Sequence, residues 1–159
     1  KTLVQKNQQG PSRNINDLER IRSYTNLPFI IKGIMTPEDA ELALTIGASA
    51  IVVSNHGGRV MDEMPGTARV LPKISEKIYK RIPVLVDGGI RSGMDVFKMI
   101  SLGADAVLIG RPISIYAVGG DVAGVKFLYN QFTNELKNTM NITGSDNIYG
   151  INKNMILKK

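Results

Sequence analysis

Four short apolar runs recur along this chain, each ending in a polar or glycine-rich turn, and that alternation limits the fold more than any other feature. Phe29-Ile30-Ile31, Ala50-Ile51-Val52-Val53, Val84-Leu85-Val86 and Ala106-Val107-Leu108-Ile109 are continuous rather than alternating in polarity. Runs of that kind suit strands covered on both faces, as in a parallel sheet lined by helices. The stretches between them have helical signals. Thr36 can cap a helix that begins at Pro37 with acids in its first turn, and Gly47 can close it. Leu71, Ile74 and Ile78 repeat at helical spacing. Ser92 can cap a second such helix, with Val96, Met99 and Ile100 facing inward and Gly103 at its end. Val125, Leu128, Phe132, Leu136 and Met140 form the apolar stripe of a long helix, and another helix is expected at about Asp17 to Tyr24.

A faint internal repeat supports the same reading. Gly47-Ala48-Ser49-Ala50-Ile51-Val52-Val53 is echoed by Gly103-Ala104-Asp105-Ala106-Val107-Leu108-Ile109, each a helix end turning straight into a strand. Strand ends near 32, 54, 87 and 110 are separated by 22, 33 and 23 residues, the length of successive β–α units. Right-handed crossovers then lay the strands side by side in one parallel α/β sheet. Four strands suit either an open doubly wound sheet or part of a barrel, and the absence of G-x-G-x-x-G from every strand-to-helix turn weakens the dinucleotide-binding option.

Polar residues cluster where ligands bind in both architectures, at the C-terminal ends of the strands: Lys32, Ser54 and His56, Asp87, Gly110 and Arg111. In Ser54-Asn55-His56-Gly57-Gly58-Arg59 an imidazole, which titrates near neutrality, can take a proton, while the Arg59 fork can grip a carboxylate. A lone histidine more often caps a loop, but the glycine pair and the arginine shift the balance toward chemistry. Asp87-Gly88-Gly89-Ile90-Arg91-Ser92-Gly93 opens a helix and offers backbone N–H groups and a guanidinium to a phosphate. Ile109-Gly110-Arg111-Pro112 ends the next strand, and the two segments fit one phosphate site, with the ion expected between Gly89/Arg91 and Gly110/Arg111. Lys32 either snorkels to solvent or stabilises negative charge on a bound cofactor.

Composition narrows the alternatives. The 159 residues are 43% apolar, enough for one packed core. With no cysteine and one histidine, neither a disulfide framework nor a metal site is expected. A net charge of +6 comes from scattered Lys and Arg with few aromatics, which argues against nucleic acid and for an anion site. No apolar run reaches the length of a membrane span, and a cytoplasmic protein is expected. A chain that begins at Lys1 is expected to be a piece of a longer protein.

The segments Ile31-Lys32-Gly33-Ile34, Val53 to Arg59, Val86 to Val96 and Leu108 to Pro112 together resemble the FMN-dependent α-hydroxy-acid oxidases and dehydrogenases, with order and spacing agreeing from about Ile15 to Gly144. The histidine segment is the specific one, because the aspartate–glycine and glycine–arginine segments also occur in other phosphate-binding barrels. The resemblance implies the C-terminal half, about strands 5–8, of a (β/α)₈ TIM barrel over residues 17–144; residues 1–16, rich in Gln, Asn, Gly, Pro and Ser without periodicity, are expected to be a mobile polar loop, and 145–159 a C-terminal tail. It implies FMN as cofactor and a small L-2-hydroxy acid as substrate. His56 would be the base, and Arg59 would hold the substrate carboxylate. Lys32 would stabilise the reduced flavin, Ser54 would contact its ring and Asp87 the ribityl chain, while Gly89, Arg91, Gly110 and Arg111 would hold the phosphate.

After Arg59 the segment Val60 to Thr67 departs from the familiar oxidases, as expected of a divergent branch, and leaves the hydroxy acid and the electron acceptor open. The resemblance also implies groups from the other half of the barrel: tyrosines, a second arginine and an aspartate that orients the histidine. The fragment alone is therefore expected to be inactive. Its open strand edges and interior residues such as Val52, Leu85 and Val107 would need an N-terminal half or a second half-barrel, and the protein is expected to form a homo-oligomer. Another FMN- or nucleotide-phosphate barrel enzyme, or a non-catalytic half-barrel, are the competing readings.

Overall fold

The computed structural model describes residues 14–156. Its centre is a parallel sheet in the order β1 (Ile30–Ile34), β2 (Ala50–Val53), β3 (Val84–Val86) and β4 (Ala106–Val107). Helices α2 (Pro37–Thr45), α3 (Thr67–Ile78) and α4 (Gly93–Ser101) connect the strands, α1 (Ile15–Ser23) precedes them and α5 (Arg111–Thr143) follows. Sequential order in a parallel sheet is the α/β arrangement expected from the alternation.

The helix starts follow their capping chemistry. Thr36 Oγ1 accepts from Asp39 N at 3.1 Å, and Ser92 Oγ accepts from Asp95 N at 3.1 Å. α1 begins at Ile15 rather than near Asp17, because Asn14 and Asp17 form a reciprocal capping box. Residues 14–16 are thus helix and cap, and the rest of the expected polar loop, 1–13, lies outside the described residues.

Between α2 and the end of α3, the Arg81 fork meets Glu41 at 3.0 and 2.7 Å. Its hydrogen bonds hold the solvent-exposed Glu41 carboxyl below the usual carboxylate range.

Strand register separates two faces. Ile51 and Val53 of β2 lie opposite Val84 and Val86 of β3, and Val86 lies opposite Val107. With Ile31 and Ile34 of β1, these residues pack into one core with Leu71, Ile74 and Ile78 of α3 and Leu128 and Phe132 of α5. The other face carries Ile30, Val52, Leu85 and Ala106, and here Ile30 is 49% exposed. Sequence alone groups Val107 with Val52 and Leu85 on this second face. The alternation of side chains puts it on the helix side instead.

The two copies of the internal repeat perform one structural task. Ser49 N donates to Phe29 O, and Ser49 Oγ accepts from Phe29 N at 3.2 Å. Asp105 N donates to Val84 O, and Asp105 Oδ2 accepts from Val84 N at 2.8 Å. In each case the residue after Gly-Ala clips the start of the neighbouring strand by a two-way bond.

α5 is broken at Asp121, whose backbone (φ 50°, ψ −142°) leaves the helical region after Gly119-Gly120. The expected stripe belongs to its second part, where Leu128, Phe132 and Met140 are buried. The first part, from Arg111, adds Ile113 and Tyr116 to the core and has no comparable stripe in sequence. Residues 145–156, which read as a tail in sequence, fold back as two short turns. They bury Ile151 with Phe97 and Met140 in a small second cluster. Ile100 joins that cluster rather than the main core.

α4 and α5 touch through Gly93, where a Cβ would collide with the Phe132 carbonyl oxygen and Leu136 N. Gly93→Ala is therefore expected to destabilise the fold by about 1–3 kcal/mol through overpacking. Urea denaturation of wild type and variant measures it, and an unchanged midpoint would show that the helices separate freely.

Candidate active site

The polar residues singled out in sequence converge. Lys32, His56, Arg59, Asp87, Gly89, Arg91, Gly110 and Arg111 line one cleft of about 210 Å³ at the C-terminal ends of the strands, with Gly57, Gly88, Ile90 and Leu108. Ser54 is fully buried just beneath it. A parallel sheet produces this convergence directly, because every strand points its C-terminus to the same side.

Lys32 joins three strand ends. Its ammonium donates to Ser54 Oγ at 2.6 Å and sits 2.8 Å from Asp87 Oδ2. An ammonium has three donors, so one N–H remains for the cleft. Asp87 Oδ1 is buried and has no hydrogen-bond partner among the described residues. A carboxylate oxygen in that state calls for a donor from a ligand, such as a hydroxyl. The Asp87 carbonyl is held from behind by Thr67 Oγ1 at 2.7 Å, and Thr67 is 3% exposed. Thr67 has no role legible in the sequence, since a hydroxyl twenty residues away shows no local signal.

The histidine turn is built tightly. Ser54 Oγ, which accepts from Lys32, also accepts from His56 N at 3.2 Å. Asn55 Oδ1 accepts from Gly57 N at 3.1 Å, and the Arg59 guanidinium donates through Nε to His56 O at 3.2 Å. His56 adopts a left-handed backbone (φ 56°), uncommon for a residue with a Cβ and frequent at functional sites. Gly57 and Gly58 continue the left-handed path (φ 70° and 72°) that lets the chain double back.

On the far side, Gly89 has φ 77° and open space where a side chain would be, and the space beside Gly110 is also open. The Arg111 guanidinium reaches to 3.5 Å from Gly57 O, spanning the cleft from β4 to the histidine turn. The sequence suggests a phosphate on the amides of the helix opened by Ser92. Two of those amides are already used, since Gly93 N donates to Glu135 Oε2 at 2.7 Å and Asp95 N to Ser92 Oγ, and Arg91 N just before the helix donates to Asp95 Oδ2 at 2.9 Å. The start of α5, at Gly110-Arg111, has no side-chain cap. Four cationic side chains and one carboxylate line this cleft, so it favours an anion. A larger groove of about 470 Å³ beside α4, lined by Met99, Leu102 and Ile156, has Asp95 and Lys98 as its charges. These two lie 3.9 Å apart and offset each other, leaving no convergent polar groups. Among the described residues no cluster of ligands could hold a metal ion, and no helix is long and apolar enough to cross a membrane.

Comparison with known proteins gives the family. The FMN-dependent dehydrogenase family matches residues 2–158. The 2-hydroxyacid oxidase of Dictyostelium discoideum is 49% identical over 146 residues, covering 92% of this chain and 38% of that protein. An L-lactate dehydrogenase of Chromohalobacter salexigens is 46% identical over 143 residues, covering 89% and 36%. The crystal structure of mandelate oxidase with benzoyl-formic acid superposes with a TM-score of 0.84 at 38% identity, over 89% of this chain and 42% of that one. The chain thus spans about two fifths of the length of the relatives it matches. With nearly all its residues matched and its strand-end side chains gathered in one anion-favouring cleft, the chain belongs to the FMN-dependent dehydrogenase family.

Proposed function

We propose that this chain is the C-terminal half, strands five to eight, of a (β/α)₈ barrel that oxidises small L-2-hydroxy acids to 2-oxo acids with FMN, His56 acting as base. The observation that carries the reading is the cleft itself. An imidazole and a carboxylate-binding guanidinium stand on one strand end, and paired glycine–arginine elements stand on the two strands beyond. The names of the relatives, 2-hydroxyacid oxidase and L-lactate dehydrogenase, support the substrate class.

The residues present fit FMN. The unpartnered Asp87 Oδ1 can accept from a ribityl hydroxyl, and the space beside Gly89 and Gly110 admits a phosphate between Arg91 and Arg111. When bound, FMN supplies the two-electron acceptor for the hydrogen on C2 of the hydroxy acid. Arg59 binds the substrate carboxylate through its fork and so orients C2. The His56 imidazole takes the hydroxyl proton as the carbonyl forms. Lys32, held by Ser54 and Asp87, directs its remaining N–H at the place where negative charge collects.

The same reading extends to partners. Among the described residues, β1 and β4 are the edges of the sheet, and Ile30 and Leu108 are 49% and 38% exposed. An N-terminal half of the barrel, or a second half-barrel, would cover them and complete the mouth. The isolated chain is accordingly expected to have little turnover, and the complete protein to be oligomeric.

In the complete enzyme, His56→Ala should keep FMN bound and slow its reduction by a 2-hydroxy acid about 10²–10⁴-fold, because general-base catalysis is lost. Stopped-flow reduction followed by flavin absorbance measures this, and wild-type rates would sink the assignment. Arg59→Lys should chiefly raise KM, since one ammonium cannot reproduce the two parallel bonds of the fork. Steady-state kinetics test it: a fall in kcat at unchanged KM would assign Arg59 to the chemical step instead.

A further inference from the structure

We propose that Gly33 is a positioning residue, the seat against which the His56 imidazole packs; the inference rests on His56 being the base. β1 carries one residue more than its partner at this point. Lys32 lies opposite Val52 and Ile34 opposite Val53, so Gly33 has no counterpart in β2. This bulge explains how Ile31 and Ile34, three residues apart, both enter the helix-side core, although strict alternation would put them on opposite faces. It also leaves Lys32 on the other face, free to reach Ser54 and Asp87.

The inserted residue has φ 102°, and the direction in which a side chain would leave it is filled by the histidine ring. A Cβ built on Gly33 would lie 3.0 Å from His56 Cε1, 3.8 Å from Nε2 and 4.0 Å from Nδ1. Cε1 sits between the two ring nitrogens, so pressure there displaces both. The ring is thus located from two sides: the His56 backbone N–H is anchored on Ser54 Oγ, and the ring edge fills the space where a Gly33 side chain would stand. One methyl group would push the imidazole by a few tenths of an ångström. Proton transfer needs hydrogen-bond reach in a defined geometry, so small displacements of a base are costly in rate.

The test uses the complete FMN-loaded enzyme and a matched control. Gly47 has φ 80°, and a Cβ there would meet nothing within 4 Å, so Gly47→Ala also carries left-handed backbone strain but does not touch the site. Gly33→Ala should retain FMN absorbance and KM but lower kcat about tenfold or more, and should move the His56 Cε1–H resonance, assigned by its loss in His56→Ala. Gly47→Ala should leave kcat and that resonance unchanged, whatever it does to stability. Wild-type kcat in Gly33→Ala, or an equal loss in Gly47→Ala, would overturn the proposal. If Gly33→Ala fails to fold, the wild-type enzyme decides: a nuclear Overhauser contact between His56 Hε1 and Gly33 Hα supports the seat, and its absence overturns it. An unaffected rate in His56→Ala would instead remove the base, while the packing contact would still be seen.

Discussion

One ammonium ties the candidate site together. Lys32 starts on β1, bonds the hydroxyl of Ser54 at the end of β2 and pairs with Asp87 at the end of β3, so three strand ends are fixed relative to one another by a single side chain. Ser54 extends the link to the His56 backbone. The ion pair is partly exposed and contributes modestly to stability. Its value is geometric: the same contacts that hold the cation in place also settle where the imidazole turn begins.

Much of this is legible in the sequence, because the strongest constraints are local. Continuous β-branched runs and well-formed caps at Thr36 and Ser92 place the elements, and a parallel sheet then gathers every strand end on one side. What stays hidden depends on contacts between distant residues. The amides after Ser92 look available for a phosphate until Glu135, forty-two residues beyond Gly93, is seen to accept from it. Thr67 behind Asp87 is of the same kind. The face of Val107 cannot be read from its neighbours in the chain, because it follows from register with β3. The first part of α5 leaves little trace in sequence because its core contacts are few, Ile113 and Tyr116, while Ile115 and Val118 are exposed.

Charge and burial divide the work between the two sides of the sheet. The helix side is a closed apolar core whose buried residues on β2 and β3, among them Ile51, Val53 and Val86, are at or near zero exposure. The other side and the mouth hold the lysine, the arginines and the unpartnered carboxylate oxygen. Polar groups placed there need not be reconciled with the core, so their arrangement can serve a ligand without weakening the packing that supports it.

The paired clips at Ser49 and Asp105 have a consequence for how such a chain can change over time. Both act at the N-terminal ends of strands, the end away from the cleft, and both set alignment by bonding side chain and backbone to the adjacent strand. Alignment secured at that end does not depend on what the opposite turns contain. Within each clipped pair, β1 with β2 and β3 with β4, the turn at the cleft end can therefore change its side chains without sliding one strand past the next, and the frame beneath stays in step.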